Sequence, residues 1–368
     1  MTRVAIAACG IIPFTRNDQS IESALLESTA DLFKSSQVDR GSVDAVLVST
    51  NSNSKYLAPI LSETAGLRPD TAHTVENLCN SGTNAMVSGY SYIASGLADV
   101  VLVSGAERYD SPGQVLKWDR SRGSFMHPVF WASMLAKSYK RRFSVSDEQL
   151  AMVPVKNHRH ARDNPNAISK KACSIQDVME SKKITDDIRL LDCSRSCTGS
   201  ASILLASEDA ARGLCKEPVW ITGIGQKTTS AGFTKSESLS SLESTRIAAD
   251  AALHMAGHTP KEIDVAEIHD AFSVCEPMAL ESLGLCGSGC GADMVKHLYD
   301  TESRMINPRG GLIGSGHPLG ATGIAQAVEI TQQLRAKAAK RQVDGARIGL
   351  VHNMSAAGTS STVLVFEG

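Results

Sequence analysis

Four short runs in this 368-residue chain hold residue types capable of nucleophilic or acid–base chemistry. The first is Asn77-Leu78-Cys79-Asn80-Ser81-Gly82-Thr83, followed by the small residues Ala85, Ser88, Gly89 and Ala94 and closed by Gly96. That spacing predicts a helix able to sit deep in the molecule. A cysteine at its first turn would face the positive end of the helix dipole, which predicts a lowered pKa and a thiolate nucleophile. The alternative is a buried, inert cysteine. The second run, Asn307 to Gly323, packs six glycines into seventeen residues, with His317 just before an apolar stretch from Ala321 to Leu334 that reads as a helix. Such a backbone can approach a ligand closely, and a histidine within it suits proton transfer. It contains neither Gly-x-x-x-x-Gly-Lys nor a dinucleotide fingerprint.

The third run is Glu267-Ile268-His269-Asp270-Ala271-Phe272. It ends an apolar strand, and ligands gather at the carboxyl ends of strands in open α/β sheets; His269 could equally cap the next helix. The fourth is Leu350-Val351-His352-Asn353-Met354-Ser355-Ala356-Ala357-Gly358, a strand entering a small-residue turn. That turn could present backbone N–H groups as an oxyanion hole, or be a plain hairpin loop.

The elements that must position these residues alternate. Val4 to Ala8, Val43 to Val48 and Val100 to Val103 read as strands, and Ile21 to Lys34 as a helix with Ala24, Leu25, Leu32 and Phe33 inward. This predicts an α/β protein with a buried, largely parallel sheet. Ser42-Val43-Asp44-Ala45-Val46-Leu47-Val48 is echoed by Glu262-Ile263-Asp264-Val265-Ala266-Glu267-Ile268 at an offset of 220 residues, and Ala30-Asp31 by Ala249-Asp250 at 219. A duplicated architecture follows, with halves at 1–235 and 236–368. Residues from about 110 to 233 read as an insertion in the first half. It carries Trp118, Trp131, the basic cluster Lys137, Lys140, Arg141 and Arg142, and the polar run Asn157 to Pro165; the Ser/Thr-rich stretch Gln226 to Ser244 reads as a linker.

A formal charge of −2 leaves no basic field for nucleic acid or a membrane surface. Nowhere do eighteen apolar residues run together. Nine cysteines, an odd number, point to a reduced, cytoplasmic protein. Cys193-x3-Cys197 and Cys286-x3-Cys290 lack the Cys-x2-Cys spacing of zinc knuckles, so no metal site is expected.

Together the four runs resemble the thiolase superfamily over nearly the whole chain, in its sterol-carrier-protein-type and archaeal acetyltransferase branch. Cys79-x-Ser81-Gly82 resembles the family's nucleophile motif, and Gly316-His317-Pro318-Leu319-Gly320 its general-base motif. His269-Asp270-Ala271-Phe272 is similar to the sterol-carrier-type variant of a run that is Asn-Glu-Ala-Phe in most thiolases. The stretches Asn157 to Pro165 and Asp187 to Ser194 resemble the same branch. The resemblance implies two β-α-β-α-β halves stacked in five layers, with an inserted loop domain covering coenzyme A. It implies a ping-pong acyl transfer: Cys79, with His317 as base, accepts an acyl group from acyl-CoA, and a second acetyl-CoA is condensed onto it, or thiolysis runs in reverse. His317 and His269 would hold one thioester oxygen, the N–H groups of Cys79 and Ser355 the other. Ser194, Phe272 and Gly316 would bind substrate. Coenzyme A is substrate and product, and a thioester needs no metal or redox cofactor for transfer to a thiolate. Implied partners are a second copy or three more copies of the chain, and a small zinc-ribbon/OB-fold protein.

One departure stands out. Most thiolases carry a second acid/base cysteine near the C-terminus, where this chain has Asn353; the sterol-carrier type moves it into the His-Asp run, where this chain has Ala271. The candidates for that role are His352, His269 and Cys275, one helical turn after Ala271, with a histidine favoured. His352-Asn353 also admits a ketoacyl synthase or hydroxymethylglutaryl-CoA synthase. A retro-aldolase on CoA-linked side chains is opposed by Cys79, and a non-catalytic subunit that channels CoA esters is the non-enzyme reading.

Overall fold

The computed structural model describes residues 2–36, 38–111, 123–232 and 236–368. Trp118 and Phe233 lie outside the described residues. The first half runs β1 (Val4–Ile11), α1 (Ile21–Ser35), β2 (Ala45–Ser49), α2 (Leu57–Thr64), β3 (Thr71–Val75), α3 (Ser81–Ala94) and β4 (Val100–Glu107). Helices α4 (Pro128–Phe143), α5 (Asp147–Ala161) and α6 (Ile175–Glu180) then leave the sheet, and β5 (Gly199–Ser207) returns to it before α7 (Glu208–Leu214). The second half runs β6 (Val219–Thr228), α8 (Glu243–Ala256), β7 (Val265–Glu267), α9 (Cys275–Ser282), α10 (Gly291–Asp300), α11 (Gly311–Ser315), α12 (Leu319–Leu334), β8 (Ile348–Ser355) and β9 (Ser360–Glu367).

Nine strands form one sheet in the order β3-β2-β4-β5-β1-β6-β9-β8-β7. The order is two copies of one pattern joined back to back, with β1 and β6 meeting antiparallel at the seam over Ala5–Trp220 and Ile6–Val219. β2 and β4 are parallel, as are β7 and β8. β4–β5 and β8–β9 are antiparallel. Helices α3 and α12 fill the space between the half-sheets. Ala85, Met86 and Ile93 of α3 and Ile324, Ala325 and Val328 of α12 share one core with Val101, Val103 and Leu205 of the first half and Val265, Val351 and Leu364 of the second. α1 and α2 cover the outer face of the first half, and α8 with α4 and α9 that of the second. These are the five layers the motifs imply.

The sequence echo has a physical cause. Asp44 Oδ2 accepts from the backbone N–H groups of Asp99 and Val100 at 2.8 and 2.9 Å. Asp264 Oδ2 accepts from those of Arg347 and Ile348 at the same two distances. Each aspartate pins the start of one strand to the start of its parallel neighbour, so it is required twice. A second repeated device is close helix–strand approach: a Cβ at Gly10 would lie 2.2 Å from Ser28 O of α1, and one at Gly225 1.8 Å from Ala248 O of α8.

One expectation needs correction: five of the eight strand pairs are antiparallel, so the sheet is mixed rather than largely parallel. Within the stretch from about 110 to 233, β5 pairs with β1 and β4, and β6 pairs along its length with β9. Gln226 to Thr228 are therefore strand, and the connection to α8 is correspondingly shorter than the expected linker. The basic cluster ends α4: Lys140 pairs with Asp147 and Asp187, and Arg142 donates to Ser240 Oγ. The polar run from Asn157 is the end of α5 and continues past it, with Asn157, His158, His160 and Asn164 buried.

Candidate active site

Cys79 sits on a tight turn, Leu78–Asn80, between β3 and α3. Leu78 takes a left-handed φ of 49°, a strained conformation that persists only where surroundings enforce it. They do: Ser81 Oγ accepts from Asn77 N at 2.7 Å and donates to Leu78 O at 2.6 Å, while Asn51 Nδ2 donates to the same carbonyl at 2.8 Å. The result aims the sulfur into a cavity. Burial pushes the Cys79 thiol up to about 12, its own backbone N–H opposes this, and the charges of Glu107 and Glu76 add to the rise. This reverses the expected lowered pKa. Desolvation of a thiolate in an apolar site outweighs the helix end, so the resting group is a neutral thiol.

His317 lies two residues before α12, as Cys79 lies two before α3. Its backbone N–H donates to Arg195 O at 2.9 Å. Its Nδ1 is 2.7 Å from Thr322 Oγ1. The Thr322 hydroxyl spends its only hydrogen on Pro318 O, 3.0 Å away, so it must accept from Nδ1–H. That fixes the tautomer with a bare Nε2, which has no hydrogen-bond partner. Burial, then the neighbouring His269 ring and the Arg309 guanidinium, hold the ring well below the usual histidine range, so it is a neutral base.

His269 follows β7 and meets His317 edge to face, with centroids 5.2 Å apart and planes at 86°. Burial lowers it to about 3, a contact with Asn353 opposing. The Cys79 sulfur and one nitrogen from each of His269 and His317 all lie within 4.8 Å of one another.

These groups line a cavity of about 460 Å³, a volume typical of small-molecule sites. Its other walls are mostly apolar, from Val129, Phe130 and Leu135 of α4 to Leu190, Met354 and Ala357. Ser194, Phe272 and Cys275 also line it; Gly316 and Ser355 do not, though their neighbours His317, Met354 and Ala356 do. Gly316 has φ 103° and leaves no room for a Cβ beside Cys197. Ser355 Oγ donates to Asn77 O at 2.5 Å, tying β8 to the nucleophile turn.

His352 is not on the cavity wall. Its Nδ1 accepts from His269 N at 3.5 Å, leaving Nε2–H to donate to Thr245 Oγ1 at 3.0 Å. With both nitrogens engaged it braces the His269 backbone. Cys275 does face the cavity, but burial holds its thiol at about 12.

Residues beside the reactive ones hold this geometry. Asp270 accepts from Leu312 N and Asn157 Nδ2 at 2.6 and 2.7 Å and so anchors α11, the segment leading to His317. Glu276 accepts from Asn157 and Asn307, both at 2.9 Å, and pairs with Lys156 at 3.0 Å; both charged side chains are fully buried. Glu107 Oε2 accepts from Asn51 N and from Gly320 N at the start of α12. An acid closing a fully buried strand such as β4 was the one sequence signal for Glu107.

Known proteins resemble this chain in sequence and in fold. A family model described as "Thiolase, N-terminal domain" matches residues 4–173, and one described as "Thiolase C-terminal domain-like" matches 225–368. The chain is 33% identical to an acetyl-CoA acetyltransferase of Methanothermobacter thermautotrophicus over 95% of both proteins. It is 34% identical to rabbit (Oryctolagus cuniculus) sterol carrier protein 2 over 80% of this chain and 58% of that protein. Among solved structures, the "Ltp2-ChsH2(DUF35) aldolase" superposes with a TM-score of 0.86 at 19% identity, covering 100% of this chain and 98% of that one.

Proposed function

The chain belongs to the thiolase family and is a thiolase-type enzyme, and from that premise we propose that it joins two acetyl-CoA molecules to acetoacetyl-CoA and CoA, or cleaves 3-ketoacyl-CoA, through an acyl group carried on Cys79. The observation that carries this reading is the convergence of the Cys79 sulfur with the His269 and His317 nitrogens in the wall of an apolar cavity.

In the first step the bare Nε2 of His317 takes the thiol proton as Cys79 Sγ attacks the thioester carbonyl. The C–S bond of acyl-CoA breaks, and the departing CoA sulfur recovers that proton. Thiol and imidazole are both neutral at rest, so the charge pair forms only in the transition state, where a buried site stabilises it most. In the second step the α-carbon of acetyl-CoA loses a proton and attacks the acyl carbonyl, the C–S bond to Cys79 breaks, and the departing sulfur recovers a proton to restore the neutral thiol. We assign the α-carbon proton to His269, which is neutral and faces the cavity. The Cys275 thiol holds its own proton, and both His352 nitrogens are engaged. Backbone N–H groups at Cys79 and near Ser355 would steady the acyl oxygen.

Purified chain with acetoacetyl-CoA tests the reading: cleavage that requires free CoA and is lost in Cys79→Ala is expected. The missing second cysteine favours one rival, a ketoacyl synthase-type condensing enzyme, and turnover with an acyl-carrier-protein thioester but not with CoA would select it. No turnover with either would favour a channelling subunit. Coenzyme A esters are the partners this site supports. Assembly into homodimers or homotetramers, and docking of a zinc-ribbon/OB-fold protein, are further proposals that sedimentation of the purified chain, alone and with such a protein, would test.

A further inference from the structure

The cluster that carries out acyl transfer has a second capacity. A thiol sulfur and two imidazole nitrogens, from three segments remote in sequence, lie within 4.8 Å of one another. A tetrahedral zinc-type ion, with bonds of about 2.3 Å to sulfur and 2.0–2.1 Å to nitrogen, places its donors roughly 3.3–3.7 Å apart. Side-chain movements of about 1 Å would close the difference. Two further features point to a ligand. His317 Nε2 is buried without a hydrogen-bond partner, on a residue only 6% exposed. The opposite nitrogen of His317 donates to Thr322 Oγ1, the outer hydrogen bond that orients histidine ligands in metal sites.

We propose that Cys79, His269 and His317 form a binding site for a thiophilic divalent cation of the zinc class, which blocks acyl transfer by occupying the nucleophile and both imidazoles. The donor set of one sulfur and two nitrogens, with no carboxylate, selects zinc, cobalt or copper over magnesium and calcium. The cavity leaves the fourth coordination position to water. Binding is balanced by release of the thiol proton: Cys79–SH and the hydrated cation give a Cys79–S–metal bond and one proton.

The test is an anaerobic titration of the full chain with cobalt(II), followed through thiolate-to-cobalt charge-transfer absorption and the visible bands of a tetrahedral ion. Because the exposed Cys290 and nearby Cys286 could bind cobalt weakly, a Cys286→Ser/Cys290→Ser background is titrated in parallel. One equivalent is expected in both proteins, with loss of the charge-transfer band in Cys79→Ala and after carbamidomethylation of Cys79. His269→Gln should weaken binding, and Thr322→Val should weaken it by about 10- to 100-fold. Absence of the band, or its persistence once Cys79 is replaced or alkylated, overturns the proposal. No acyl-CoA enters the readout, so this result and that for acyl transfer fail independently.

Discussion

The two halves of the molecule share a framework and differ in what they place on it. In the first half β3 leads through a strained turn to Cys79 and then α3; in the second, a single bridge between Ala266 and Ile306 stands where β3 would be, and the glycine-rich segment leads to His317 and then α12. The two helices touch near these starts, where a Cβ at Gly323 would lie 2.7 Å from Thr83 N. The strand ends differ likewise. At the offset of 220, Ser49 corresponds to His269; across β4 and β8, Ser104 and Gly105 correspond to His352 and Asn353. In the first half Ser49 and Gly105 let α12 pack closely: Ser49 Oγ donates to Gly320 O at 2.7 Å, and a Cβ at Gly105 would lie 2.4 Å from the same carbonyl. In the second they are the imidazole and its supports. Duplication thus supplies two equivalent helix starts facing one point, and divergence makes one a nucleophile and the other a base.

The largest expected effects break that division of labour. Cys79→Ala removes the acyl acceptor and should reduce kcat/KM by roughly 10⁴-fold or more. His317→Ala leaves the nucleophile without its base and should cost about 10²- to 10⁴-fold. Steady-state thiolysis assays on both variants measure the ratio; a His317→Ala protein as active as wild type would end the symmetry argument.

Protonation sharpens the comparison next. With the Cys79 thiol raised to about 12, its thiolate fraction is small at neutral pH and grows as pH rises toward that value. Its alkylation by iodoacetamide should therefore be slow at neutral pH and still climbing above pH 10. A plateau near pH 7 would show a thiolate–imidazolium pair instead. Thr322→Val removes the acceptor that fixes the His317 tautomer. It should lower kcat about tenfold with little change in KM, and Thr322→Ser should restore it. Equal losses in the two variants would mean that the threonine serves packing alone.

The smallest effects concern the scaffold. Asp44→Ala and Asp264→Ala each remove two backbone hydrogen bonds to a carboxylate at the same place in the two halves. Each should cost about 1–2 kcal/mol in urea unfolding, and the two costs should match within about 0.5 kcal/mol. Strongly unequal losses would show that the repeated aspartates serve different purposes.

Much of this was legible in the chain. Cys79, His317 and His269 announce themselves through local patterns, and the aspartate echo reports a bond made twice. What escaped notice depends on distant neighbours. The Cys79 pKa follows from burial between two half-sheets, which no window around residue 79 contains. That β5 lies between β4 and β1 depends on pairings with strands about 100 and 200 residues away in sequence. Lys156 and Glu276 are a buried pair 120 residues apart in sequence, a contact that no local pattern contains. His352 carries the right chemistry in the right strand, yet Thr245 and the His269 backbone occupy it.

The most direct test is intact-protein mass after incubation with acetyl-CoA, with peptide mapping of any adduct. A single acetyl group on Cys79, absent in Cys79→Ala and formed much more slowly in His317→Ala, is the predicted result. An adduct on another cysteine, or one that persists in Cys79→Ala, would contradict the assignment of nucleophile and base to the two halves.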